Sequence, residues 1–214
     1  MVFIHGGAFE MGDAITFGDL NICENIVSHD VIFVTIQYRL GYLGFFTTGD
    51  DVCPGNLGLW DQVAALTWIQ RNIEAFGGNK YNITLLGLSA GGASVDMLHC
   101  SPHSTDLFQK AIMMAGTAEC RWAINMDWKS SEEVRMRSLS CACTSIQLLN
   151  KLREVPADKL AVIYSDGIKN QNSDFETVPV IDGDFFPSSL DELRENATPK
   201  PIMTGVTKEE GLLF

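Results

Sequence analysis

Val31-Ile32-Phe33-Val34-Thr35-Ile36 is an unbroken apolar and β-branched run. A strand without polar alternation has to be covered on both faces, which is the habit of parallel sheets. Val2-Phe3-Ile4 precedes it, and Ile83-Thr84-Leu85-Leu86 and Lys110-Ala111-Ile112-Met113-Met114 follow as further strand candidates. Between them, Leu59, Val63, Leu66, Ile69 (or Trp68), Ile73 and Phe76 recur three or four apart, which puts one apolar stripe on a helix that Gly77-Gly78 stops. A second helix, over the small residues from Ala90 to Leu98, should end before Pro102. Strands alternating with helices need crossover connections, so the expected class is α/β with a central sheet and flanking helices.

After about Cys120 the texture changes. Residues 121–175 read mostly helical, with Ile146, Leu148, Leu149 and Leu152, then Leu160, Val162 and Ile163, as apolar faces, and Pro156 as a helix start. Residues 177–181 and 201–206 read as short strands. No composition shift marks a domain boundary.

Charge narrows the function classes. The 214 residues carry 15 Lys+Arg against 27 Asp+Glu, a net charge of −12, and no basic block, so nucleic acid is not an expected partner. No stretch reaches the roughly 18 uninterrupted apolar residues of a membrane-spanning helix. The six cysteines form no C-x-x-C pair, which gives zinc-ribbon and thioredoxin chemistry no support, and no metal or cofactor is expected.

Two motifs carry chemistry. Gly87-Leu88-Ser89-Ala90-Gly91 fits the G-x-S-x-G elbow, in which a strand-to-helix turn exposes a serine hydroxyl and flanking glycines let other backbone pass close by. His5-Gly6-Gly7-Ala8-Phe9 directly follows the first strand and has the form of an oxyanion loop, where small residues let N–H groups converge on developing negative charge. Both lie at the C-terminal ends of expected parallel strands, where α/β sites form.

Longer strings add a family resemblance. Tyr38-Arg39-Leu40-Gly41, Gly55 to Gln62, Trp68 to Ile73, Ala75 to Asn79, Asn82-Ile83-Thr84 and Gly87 to Gly92 together resemble the type-B carboxylesterase/cholinesterase family. The likeness is dense over 1–120, thin over 121–200, and returns at Gly205 to Gly211. It implies an α/β-hydrolase fold that hydrolyses small carboxylic esters through an acyl-enzyme. It implies a partial domain over 1–214, incomplete at both ends: 1–120 holds the oxyanion loop and elbow, and 121–214 is a helical part ending at the acid. Ser89 would be the nucleophile, Gly7, Ala8 and Ala90 would supply the oxyanion-hole N–H groups, and Glu210 would be the triad acid. Arg39 and Asp61 would form a buried ion pair between the strand and the long helix.

The chain order Ser, acid, His of these hydrolases is met only in part, because no histidine follows Glu210. The base would therefore lie beyond Phe214, and the chain by itself is expected to have little activity. His5 belongs to the oxyanion loop. His99 and His103 are spaced i, i+4 but are separated by Pro102 and read as ordinary surface or loop residues; no metal is expected there. Leu88 stands where many relatives carry Glu, and Ala115-Gly116 where they carry Ser-Gly. The small disulfide loop that the resemblance puts near Cys141 and Cys143 lacks its partner, since Lys151 precedes Leu152-Arg153. Two glycosylation sequons occur. Asn82-Ile83-Thr84 is expected to be bare inside a strand, and Asn196-Ala197-Thr198, in a loop, is the better acceptor. The alternative function is a non-catalytic, cholinesterase-like adhesion or binding protein. A secretory location follows only from the resemblance.

Overall fold

The computed structural model describes residues 1–125, 144–161 and 177–210. Its strands are β1 (Val2–Ile4), β2 (Val34–Thr35), β3 (Thr84–Leu88), β4 (Lys110–Met114) and β5 (Ile202–Gly205). They form one sheet in the order β2-β1-β3-β4-β5, and every neighbouring pair is parallel. The helices are α1 (Asp19–Asn25), α2 (Gly41–Phe45), α3 (Leu57–Asn72), α4 (Ala90–Cys100), α5 (Ser145–Glu154) and α6 (Leu190–Asn196).

One face of the sheet makes the main core. Val2, Ile4, Leu85, Ala111 and Met113 alternate toward it and pack with Leu59, Leu66 and Ile69 of α3 and with Ala93, Met97 and Leu98 of α4. All of α4 is buried, which explains its small and apolar composition. The stripe on α3 continues into a 3-10 turn at Ile73–Phe76 as far as Ile73, the expected last member Phe76 being 64% exposed, and the turn ends where Gly77 is left-handed at φ 81°. The opposite face, with Phe3, Phe33, Leu86, Leu88 and Met114, lines an apolar cavity of about 290 Å³ under Phe17 and Ile22.

The expected strand over 31–36 is ladder-paired only at Val34–Thr35. Among the described residues β2 is an edge strand, and its one neighbour is β1, in a register that sets Val34 beside Val2 and Thr35 beside Phe3. Residues 177–181 form no strand either, apart from an isolated bridge between Asn125 and Val180. The buried amide of Asn56 takes both backbone groups of Val180, donating to its carbonyl at 2.8 Å and accepting from its N–H at 3.0 Å, where a neighbouring strand would bond. The N–H groups of Lys159 and Leu160 both donate to Pro156 O, the first turn of a helix. The expectations for Val162, Ile163, Cys141 and Cys143 lie outside the described residues. Cys23, Cys53, Cys100 and Cys120 are all free thiols.

Candidate active site

Three strand ends at one rim of the sheet carry the expected site residues. Ser89 follows β3, the central strand, and serves as the N-cap of α4 at φ 56°, ψ −120°. That is a conformation L side chains rarely adopt, costing roughly 1–3 kcal/mol. The surroundings fix it: Ser89 N–H donates to Met114 O at 2.8 Å, and its carbonyl accepts from Ala93 N–H at 2.9 Å. The residue is partly exposed, so the bend turns the hydroxyl-bearing side chain away from the core that α4 fills.

The glycine loop follows β1, paired with β3 in a register that sets Ile4 opposite Gly87. The two turns therefore touch. A Cβ on Gly6 would lie 3.1 Å from Ser89 Cβ and 2.5 Å from Leu88 O, so only glycine allows this approach. Gly7, Ala8 and Phe9 then all have positive φ, at 113°, 57° and 63°. Gly7 O accepts from the N–H groups of Glu10 and Met11 at 2.9 and 3.0 Å, which closes the loop on itself. Phe9 is wholly buried against Phe45, ring centroids 5.1 Å apart, and this packing holds the left-handed backbone in place. Gly7 and Ala8 are partly exposed, while Ala90 is buried at the first turn of α4.

Glu210 lies five residues past β5 and is partly buried. Its Oε1 accepts from Thr207 N–H at 3.3 Å and from Thr207 Oγ1 at 3.0 Å. Since β4 separates β3 from β5, the strands delivering Ser89 and Glu210 are two spacings, about 10 Å, apart.

No histidine among the described residues is hydrogen-bonded to either group. His5 is buried, stacked on Tyr38 with ring centroids 4.5 Å apart, and its Nδ1 meets Gly6 O at 2.9 Å. His103 Nε2 meets Asp184 O at 3.0 Å and its ring packs on Trp60. His99 is not the surface residue expected from the sequence. It is 6% exposed, because α4 is buried on every side, and burial followed by the Lys200 charge pushes its pKa below the ordinary value. Among the described residues no group of three or more His, Cys, Asp or Glu could hold a metal ion, and no helix is long and apolar enough to cross a membrane.

Arg39 and Asp61 do pair, in a two-pronged geometry of 2.6 Å (Nε to Oδ2) and 2.8 Å (Nη2 to Oδ1), and Arg39 N–H also donates to Oδ2 at 3.0 Å. The pair is not buried: the side chains are 47% and 28% exposed, so water reaches both partners.

Two residues that the sequence reading named only within the family resemblance prove to support the site. Gly116 passes so close beneath the elbow that a Cβ would sit 2.2 Å from Ser89 O. Tyr38 donates its hydroxyl to His5 O at 2.8 Å in a buried contact that clamps the start of the glycine loop. The sequence signals were the Gly after β4 and a Tyr after an apolar strand, and both become specific only when the crossovers bring them to this rim.

The profile described as the Carboxylesterase family matches residues 1–214. The chain is similar to Esterase cest-33 of Caenorhabditis elegans, at 45% identity, covering 100% of this chain and 39% of that protein. It is 37% identical to Esterase FE4 of Myzus persicae and 40% identical to Bile salt-activated lipase of Bos taurus, covering all of this chain and 38% of each. The chain thus spans 38–39% of the length of these relatives.

Proposed function

The chain belongs to the carboxylesterase family, with its α/β-hydrolase fold, and from this premise we propose that it is the nucleophile-bearing part of an enzyme that hydrolyses carboxylic esters through an acyl-serine. In this mechanism Ser89 Oγ attacks the acyl carbon while a base takes its proton. The carbonyl oxygen becomes an oxyanion held by the N–H groups of Gly7, Ala8 and Ala90. Collapse expels the alcohol, which takes the proton from the base. Water then enters by the same route in reverse and releases the acid.

Glu210 is the proposed orienting acid. An imidazole with a hydrogen bond on either side spans roughly 8 Å, comparable to the interval between the strands that carry Ser89 and Glu210. None of the four histidines in these 214 residues takes that place, so we assign the base to polypeptide beyond residue 214. The polypeptide 1–214 by itself is then a poor catalyst.

The observation that carries this proposal is the strained backbone of Ser89 at the end of the central strand, in van der Waals contact with the glycine loop. The test is labelling of the full-length protein by a fluorophosphonate, whose phosphorus takes the place of the acyl carbon. The expected result is one label that Ser89→Ala abolishes. Equal labelling of the variant would rule out Ser89 as the nucleophile.

A further inference from the structure

Asn82-Ile83-Thr84 plays no part in the chemistry above, and its structure reverses the sequence expectation. Asn82 is exposed and precedes β3, which begins only at Thr84. The chain enters the strand from a tight turn: Asn82 N–H donates to Asn79 O at 3.0 Å, and Tyr81 N–H to Asn79 Oδ1 at 2.9 Å. From there the alternation of a strand operates. Ile83 (4% exposed) and Leu85 (0%) point into the core, so Asn82 and Thr84 share the other side.

We propose that Asn82 is an N-glycosylation site whose sugar chain stands at the rim opposite the candidate active site. In the step itself, Asn82 Nδ2 attacks the anomeric carbon of the first sugar of a polyprenyl-diphosphate oligosaccharide. The C–N bond forms, the C–O bond to the diphosphate breaks, and Nδ2 gives up one proton. The product amide keeps its carbonyl oxygen as an acceptor. That oxygen is the atom the fold uses, because Asn82 Oδ1 accepts from Lys110 Nζ at 2.8 Å. The local backbone is held without Nδ2: Ile83 N–H donates to Gln109 Oε1 at 2.8 Å, and Ile83 O accepts from Gln109 and Lys110 N–H groups.

Space and distance agree with this assignment. Asn82 borders an open cleft of about 410 Å³, with Asn79, Thr84 and Lys110 on its polar side and Ile32 and Ile73 on its apolar side, which leaves room for the first sugars. Seven residues at about 3.3 Å each put Ser89 roughly 20 Å away along β3, so the sugar leaves the opposite rim clear. Asn196, the acceptor favoured by the sequence, is the last residue of α6 rather than a loop residue. Its Nδ2 already donates to Glu192 O at 2.8 Å, and Pro199 directly follows Thr198.

The test uses the native protein from the tissue that makes it. Lys80 and Lys110 bound a tryptic peptide in which Asn82 is the only asparagine. After digestion with peptide N-glycosidase in heavy-oxygen water, this peptide should appear with residue 82 as heavy-labelled aspartate, and it should be missing from the undigested control. Recovery of the unmodified peptide alone, or sugar at Asn196 only, overturns the assignment. The readout needs no variant and no catalytic activity, so it stands apart from the fate of the esterase proposal.

Discussion

Ser89, Ala8 and Phe9 are non-glycine residues with positive φ gathered at one rim, where Ser89 is held by hydrogen bonds to Met114 and Ala93 and Phe9 by its packing on Phe45 and its carbonyl's bond from Gly41 N–H. Gly116 is the sharpest test of that support. Its missing side chain is what lets β4's end pass under the elbow, and a methyl group 2.2 Å from Ser89 O would force the backbone apart. Gly116→Ala should lower unfolding free energy by about 1–3 kcal/mol in a urea titration and slow fluorophosphonate labelling of Ser89. Tyr38→Phe leaves the buried His5 carbonyl without its donor, at a cost of about 1–2 kcal/mol by the same titration. If the Tyr38 clamp sets the glycine loop, labelling slows as well, whereas a purely structural role lowers stability and leaves the labelling rate alone. At this scale the serine and the glycine loop were legible, because each is a contiguous string. Gly116 and Tyr38 were not, since their meaning comes from a contact across strands.

Helix α4 shows how an element can be legible in extent and opaque in its interior. Its end before Pro102 and its apolar character follow from local sequence, but its charged residues are explained only by what packs on them. Asp96, with a side chain 2% exposed, accepts two bonds from Arg194 of α6 at 2.9 and 3.0 Å and one from Ala118 N–H at 2.9 Å. Arg194→Ala leaves that carboxylate with one backbone donor and should cost about 2–3 kcal/mol. Asp61→Asn, at the half-exposed Arg39 pair, should cost about 1 kcal/mol or less. Denaturant midpoints of the two variants separate a buried partner from an exposed one. His99 lies on the same helix, and burial, then Lys200, lowers its pKa, with Arg194 adding to the effect and Asp96 opposing it. The folded state therefore holds its proton less tightly than the unfolded chain does. The stability from the neutral imidazole is complete above the ordinary histidine range and is lost as pH falls through the lowered value. The denaturant midpoint should fall between neutral and mildly acidic pH, and His99→Phe should flatten that fall. Residues 177–181 form no ladder for a physical reason: Val180 gives its backbone N–H and carbonyl to the Asn56 side chain instead.

On the scale of the molecule, alternation of strands and helices was enough to read a parallel sheet, because crossover connections leave few arrangements of the chain. It could not say which face would be covered. The α3–α4 face is closed, whereas the other shows the cavity under Phe17, and β5 is exposed at every residue, with Met203 at 65% and Ile202 at 47%. Among the described residues β5 is an edge strand, and an exposed edge strand with no charge on it is a template for pairing with a second chain. The polypeptide 1–214 produced by itself should therefore bind a hydrophobic dye and scatter light at micromolar concentration. Met203→Lys puts a charge on the exposed edge without touching the core, so it should suppress the scattering while leaving the dye signal from the uncovered face. If scattering persists while dye binding falls, the association runs through another surface. A clear solution of unmodified 1–214 that binds no dye would mean the face is closed in a way these contacts do not contain.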